Sequence, residues 1–378
     1  MARPYGVYVH FPYCEFRCPY CDFAVSTERP VPDSRYTRAV LLELERRAPA
    51  FRGLSCATLY LGGGTPSLWE PEGVAAVVTA VRALGLPEAA EVTLEANPES
   101  VDPGRLAAWR RAGVNRLSIG VQSFDPAVLH KLGRRHGPEG AERAVREAVR
   151  AFENVSVDLI YGARRSTVAT ARADAERLAS LGVSHVSAYA LTLDAEVLAE
   201  EVPLARLRRL GRLSFPGEAE TLAQARAIRG ALARAGFRRY EISNFARPGF
   251  ASAHNQVYWS GESYLGVGVG AHGCLHDDSG AVRWGNHRTP AEWFSAVEAG
   301  RLPTAEEERL EPRQVRNERR MLALRTARGL DLALLPAGRA PEVASLQRAG
   351  LARRLAARLV LTARGLDLHS SVAERLFE

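Results

Sequence analysis

Short apolar, β-branched runs recur along the chain at Val7–Phe11, Ala57–Leu61, Glu91–Ala96, Arg116–Val121, Ser156–Ile160 and His185–Leu191, each closing near Gly, Asn or polar residues. They predict six strands. Between them the apolar positions change to helical spacing over Asp33–Arg47, Pro71–Leu84, Pro103–Arg111, Pro138–Phe152 and Thr167–Leu181, several opening on an Asp, Ser or Pro start signal. Strand and helix in alternation predict an α/β fold of parallel strands joined by crossovers, which a doubly wound sheet and a barrel or partial barrel satisfy equally. In both, functional groups collect at the carboxyl ends of the strands.

The rhythm changes after about residue 195. An Arg-rich helical stretch leads into a Gly- and aromatic-rich region from Gly236 to Asn286. From Arg313 the pattern reads as helices, then a hairpin through Leu359–Leu368 (LVLTARGLDL), then a short helix capped by Ser370 or Ser371. Helices followed by a hairpin suggest a winged-helix-like unit. The chain therefore divides into 1–235, 236–312 and 313–378, within the two to three domains expected at about 150 residues each.

Composition adds less. The 46% hydrophobic and 25% charged fractions are those of an ordinary folded protein. No stretch approaches the roughly 18 uninterrupted apolar residues of a membrane span, and MARPYGVYVHFPYC lacks a basic segment followed by an apolar one. A cytoplasmic location is expected. The formal charge of +7 invites a nucleic-acid or anionic-membrane reading, but its distribution restricts it. From Arg313 onward 13 Arg face 6 acidic residues, so the whole excess lies in the last segment. Without aromatic–basic interleaving there, no specific nucleic acid is expected, although transient membrane association is allowed.

Three of the five cysteines stand at Cys14, Cys18 and Cys21, in CEFRCPYC directly after the first strand. A disulfide framework does not suit a large chain with an odd count. Structural zinc normally takes four ligands, and one triplet lacks the second pair. Three thiolates suit a 4Fe–4S cluster with one iron left open for a ligand. Cys56 begins a strand and reads as a small core residue; Cys274, after a Gly-rich loop, reads either way. GVGVGAHG at Gly266–Gly273 superficially suggests a dinucleotide loop, but the following CLHDDSG breaks the helix such a loop needs.

The segment YVHFPYCEFRCPYC resembles radical S-adenosylmethionine (SAM) enzymes, whose CxxxCxxC loop holds a 4Fe–4S cluster chelated at its free iron by SAM. The resemblance implies an incomplete (β/α)6 barrel as the first domain, with SAM lined by Tyr8, by Gly63, Gly64 and Thr65 of LGGGTPS, and by Glu95, Gln122, Arg134, Asp158 and Ala190. Further along, YEISNFARPG, HNQVYW, YLGVGVGAHG and RLVLTARG resemble the coproporphyrinogen III oxidase-like group. The group's dehydrogenases carry a fourth cysteine two residues after the third, where this chain has Phe23. Its heme chaperones carry HNxxYW, matched here by His254, Asn255, Tyr258 and Trp259. The resemblance thus implies heme binding through these four residues and transfer to hemoproteins, respiratory ones included, with oxygen-independent coproporphyrinogen III oxidation as the alternative. A neutral His suits axial ligation of heme iron, and aromatic rings suit packing on a porphyrin. His272 is a weaker second candidate. After VDLIYG the group continues with Leu-Pro and Gln-Thr; this chain has Ala163, Arg164, Arg165, Ser166 and Thr167, which implies different ligand contacts from that loop.

Overall fold

A computed structural model describes residues 2–193 and 202–377. Strands and helices alternate through the first half as β1 (Pro4–Phe11), α1 (Asp33–Arg47), β2 (Ser55–Gly63), α2 (Pro71–Ala83), β3 (Glu91–Ala96), α3 (Pro103–Arg111), β4 (Arg116–Gln122), α4 (Pro126–Lys131), α5 (Gly137–Ala151), β5 (Asn154–Tyr161), α6 (Val168–Ser180) and β6 (His185–Ala190). All six predicted strands and all five predicted helices are present, with ends within three residues of those expected. Several helix starts are fixed by side chains that accept from orphan backbone N–H groups: Asp102 for α3, Asp125 for α4 and Thr167 for α6.

Strand order decides between the two architectures left open by the sequence. β1 to β6 lie side by side in chain order and in parallel. A doubly wound sheet requires the order to reverse at a switch point. Without a reversal, right-handed crossovers set every helix on one face, and the sheet curls around the other, as in a partial barrel. Its ends do not meet among the described residues.

The chain continues through α7 (Pro203–Arg209), α8 (Glu218–Arg234), β7 (Arg238–Arg239), β8 (Asn244–Ala246), α9 (Ala253–Trp259), β9 (Ser263–Gly268), β10 (His272–Asp277), β11 (Gly280–Asn286), α10 (Pro290–Glu298) and β12 (Thr304–Leu310). β8 and β7 extend the sheet beyond β6, whereas β9 returns to pair in parallel with β1 and carries β10, β11 and β12 outward as an antiparallel meander. GVGVGAHG is therefore a strand and its turn. A side chain at Gly266 would strike the His272 carbonyl, and one at Gly273 the Trp284 ring, so this crossing tolerates only glycine.

The last segment has its own small core of Leu324, Leu330, Leu346, Leu359, Leu361 and Leu376. It runs α11 (Pro312–Leu324), β13 (Leu330–Asp331), α12 (Ala340–Arg348), β14 (Ala352–Leu355), β15 (Arg358–Leu361), α13 (Ala363–Asp367) and α14 (His369–Phe377). The hairpin differs from expectation. It joins β14 to β15 through Ala356, at φ +50°, while the predicted second arm is the helix α13. The cause is Thr362, whose side chain accepts from Gly365 N and starts a helix inside the Leu359–Leu368 segment expected to form the hairpin. α14 begins at His369, so Ser370 and Ser371 lie inside its first turn and do not precede it.

One buried carboxylate ties the meander to the barrel. Glu43 on α1 is fully buried and accepts from Arg47 Nε (2.9 Å), Asn286 Nδ2 (2.7 Å), Gly268 N (2.9 Å) and Trp293 Nε1 (2.9 Å). These donors come from α1, β9, β11 and α10. Glu43→Ala leaves the Arg47 guanidinium buried without its counter-charge and is expected to cost about 3–5 kcal/mol in denaturant unfolding. A loss below 1 kcal/mol would show that the network does not hold these layers together.

Candidate functional site

A cavity of about 360 Å³ opens at the carboxyl ends of the barrel strands and runs down inside the sheet. That volume suits one small ligand, at the lower end of the usual range. Around its mouth stand Cys14, Cys18 and Cys21 and the loop after β2; along its wall stand Glu95, Gln122, Arg134 and Asp158; at its floor lie Arg116, Asn244 and Asn255.

The cysteine loop leaves β1 and doubles back, with Cys14 N donating to Ser26 O (2.9 Å) and Ser26 N to Pro12 O (2.8 Å). Cys21 N donates to Cys18 O (3.1 Å), which draws the second and third cysteines onto one turn. The loop is tied to its neighbour by Gly64 N donating to Phe11 O (2.7 Å) and Thr65 N to Tyr13 O (3.0 Å). Gly63 has φ +112°, and any Cβ there would strike the His10 ring, so this approach of loop to strand demands glycine.

Polar side chains join the thiols. Thr65 Oγ1 donates to Cys14 Sγ (3.4 Å) and Arg134 Nη1 to Cys18 Sγ (3.7 Å). Arg134 also donates to Asn97 Oδ1 (2.7 Å) and the Gly120 carbonyl (2.7 Å), and Asn97 Nδ2 donates to Thr65 Oγ1 (3.2 Å). A continuous chain thus runs from one cysteine to another through Thr65, Asn97 and Arg134. Burial pushes the Cys14 thiol up and that of Cys21 up to about 11, so metal loading must displace protons from both.

The donor set fits a cluster: Cys14, Cys18 and Cys21 line one cavity mouth and supply three thiolates of the kind that hold a 4Fe–4S cluster, leaving one iron for a further ligand. A ligand deeper in the cavity is also consistent with two buried atoms at its floor that lack a hydrogen-bond partner among the described residues, Asn244 Oδ1 and Arg116 Nε, the latter with only the Glu91 carboxylate at 3.9 Å.

Of the expected SAM residues, Gly63, Gly64, Thr65, Glu95, Gln122, Arg134 and Asp158 share this wall. Tyr8 and Ala190 lie off it. Tyr8 sits behind Tyr60 and donates to His10 Nδ1 (3.1 Å), whose Nε2 is then left to donate to the Ala24 carbonyl (2.9 Å). Glu95 accepts from Tyr60 Oη (2.7 Å) and Gly63 N (3.0 Å), yet burial raises its carboxyl to about 7. Burial also raises Asp158 to about 6. Gln122 holds φ +71° at the end of β4, a left-handed backbone that a non-glycine residue adopts at a cost. Sequence reasoning missed Asn97, Tyr60 and Arg116. Asn97 follows Glu95 in LEANP and was accessible as another strand-end polar residue; the other two face the cavity only because of the sheet's curl.

The HNQVYW segment forms α9. Asn255 reaches the cavity floor, but His254 is only 1% exposed. Both its nitrogens are engaged, Nδ1 with Thr58 Oγ1 (2.8 Å) and Nε2 with Tyr258 Oη (3.0 Å), and its ring stacks on Tyr60. Burial lowers its pKa to about 3, so the ring is neutral. Trp259 packs under the Arg325 guanidinium, 4.0 Å from the ring centre. His272 lies outside this cluster, exposed and 3.8 Å from Glu306. The loop Ala163–Thr167 does not line the cavity. Gln224 from α8 fixes it, accepting from Gly162 N (2.8 Å) and Ser166 Oγ (3.0 Å). Phe23 stands at the cavity rim, 53% exposed.

The profile of the radical SAM superfamily matches residues 8–178. Heme chaperone HemW of Mycobacterium tuberculosis is 38% identical over 380 residues, 99% of this chain and 95% of that protein. Heme chaperone HemW of Escherichia coli is 36% identical over 74% of this chain and 72% of its own length. Among solved structures, coproporphyrinogen III oxidase (HemN) of Escherichia coli superposes with a TM-score of 0.81 over 99% of this chain and 90% of that one, at 22% identity. That likeness is one of fold.

The raised carboxyls give the fold a pH dependence. Because Glu95 binds its proton more tightly folded than unfolded, the stability it contributes is complete below its unfolded value near 4.5 and is lost as pH rises to about 7. Glu95→Gln is therefore expected to gain on the order of 1–2 kcal/mol relative to the parent between pH 5 and pH 8, read by urea unfolding of the cluster-free protein. Equal pH slopes in the two proteins would refute this.

Proposed function

The chain belongs to the radical SAM superfamily and, within it, to the family of the HemW relatives, and from that premise we propose that it is a heme chaperone carrying a 4Fe–4S cluster and SAM. Cys14, Cys18 and Cys21 hold the cluster as thiolates. When bound, the cluster offers one open iron position to the amino-acid end of SAM. Gly63, Gly64 and Thr65 bring backbone donors and acceptors close to that ligand, Arg134 steadies the Cys18 sulfur, and Glu95 and Asp158 offer carboxylates to its ammonium and hydroxyl groups. Tyr8, Gln122 and Ala190 complete the surroundings from the strand ends.

Heme is taken up by His254 as the axial nitrogen donor, with Asn255, Tyr258 and Trp259 beside it, and passed to acceptor hemoproteins in the cytoplasm, membrane respiratory enzymes among them. The observation that carries this reading is the intact HNQVYW segment on a helix whose Asn255 shares one cavity with the three cysteines. No helix among the described residues is long and apolar enough to cross a membrane; the contact proposed with a membrane acceptor is a transient one. The second reading is oxygen-independent coproporphyrinogen III oxidation, the alternative that the sequence resemblance leaves; the fold likeness to the oxidase is compatible with both readings. Against it stands Phe23, at the position of the oxidase-type fourth cysteine.

Anaerobic reconstitution is expected to give about four iron and four sulfide per chain. Cys14→Ala, Cys18→Ala or Cys21→Ala should abolish the cluster absorbance, and Cys56→Ala should not; equal loss in the Cys56 variant would overturn the ligand assignment. Heme added to the reconstituted protein should give a shifted Soret band that weakens in His254→Ala while the iron–sulfur absorbance stays. Conversion of coproporphyrinogen III with SAM consumption should be undetectable. Robust turnover with unchanged heme affinity in His254→Ala would replace the chaperone by the oxidase.

A further inference from the structure

α9 carries the heme motif, yet it is fastened by a residue far away in sequence. Glu91, the first residue of β3, reaches across to its amino end and accepts from Ser252 Oγ (3.0 Å), Ala253 N (2.8 Å) and His254 N (3.0 Å). One carboxylate thus satisfies two of the orphan N–H groups that open a helix, while the Ser252 side chain serves Asn255 N (3.2 Å). The same docking seats the imidazole. Gly6 on β1 leaves room for it, since a Cβ there would lie 3.0 Å from the ring, and Thr58 on β2 holds Nδ1. In this state the imidazole has neither a free nitrogen nor a path to a porphyrin.

We infer that Glu91 is a positioning residue that holds the HNQVYW helix in a closed state with His254 stowed in the barrel wall, so that heme loading requires the helix to leave Glu91 and Thr58 together. This rests on the heme-binding reading above. Its consequence is kinetic. If only a small open fraction of the protein can take heme, observed association falls by that fraction, and loosening the closed state raises it.

The sign separates a latch from an ordinary support. A residue that merely maintains the heme site slows uptake when removed, whereas removing a latch speeds it. Glu91→Ala also strips Arg116 of its neighbour at 3.9 Å, so Thr58→Val, which removes only the bond to Nδ1, serves as the second variant. With the cluster-reconstituted protein and free hemin, stopped-flow Soret measurements should show association about tenfold faster in Glu91→Ala or Thr58→Val than in the parent. The gain should vanish in the double variant Glu91→Ala/His254→Ala. Amide exchange at 253–255 should quicken in the heme-free Glu91→Ala protein. Faster amide exchange with unchanged or slower heme uptake in both single variants would overturn the latch and leave the chaperone reading intact. Heme uptake indifferent to His254 in the parent would overturn both.

Discussion

The arrangement depends on β1 being paired in parallel on both edges. Its backbone groups are used by β2 on one side and β9 on the other, so it can neither slip nor fray without breaking two ladders. The pairing of Phe11 with Gly63 sets the cysteine loop beside the glycine loop. The pairing of His10 with Gly268 brings the end of the meander to the same level, where Gly268 N finds Glu43. Register in one strand thus places the thiols, the close backbone approach and the buried network that braces them.

Inside the curl, the polar side chains are arranged for a ligand more than for stability. Burial raises the Glu95 and Asp158 carboxyls to about 7 and about 6, and Gln122 is kept in a left-handed backbone. Such features persist where surrounding structure over-determines them. Here the determinants are visible: Tyr60 and Gly63 N fix Glu95, while Arg134 is held by Asn97 and the Gly120 carbonyl. Tyr60 has a second neighbour in His254, so the wall of the cavity and the stowed imidazole share one ring.

Much of this was legible in the sequence because it is written locally. Strand and helix periods, the cysteine spacing and the glycines after β2 each occupy one short segment. What was illegible depends on distant partners. Partial barrel and doubly wound sheet share one alternating pattern and separate only by strand order. Thr362 turned an apparent hairpin arm into α13. His254 read as an available ligand, and its engagement by Thr58 crosses 196 residues of sequence. Tyr60 and Arg116 sit in ordinary strand positions until the sheet curls.

The carboxyl end of α9 is joined to the last segment. Arg325 lies over the Trp259 ring and forms an ion pair with the fully buried Glu241 at 2.7 Å, so the segment after Pro312 is bonded to the motif it follows. Cation, aromatic face and counter-ion come from three separate stretches of chain, and Arg325 is the member that touches both of the others. A change at Arg325 alone would therefore remove one corner of this triangle and disturb the motif's surroundings although the motif's own letters are unchanged.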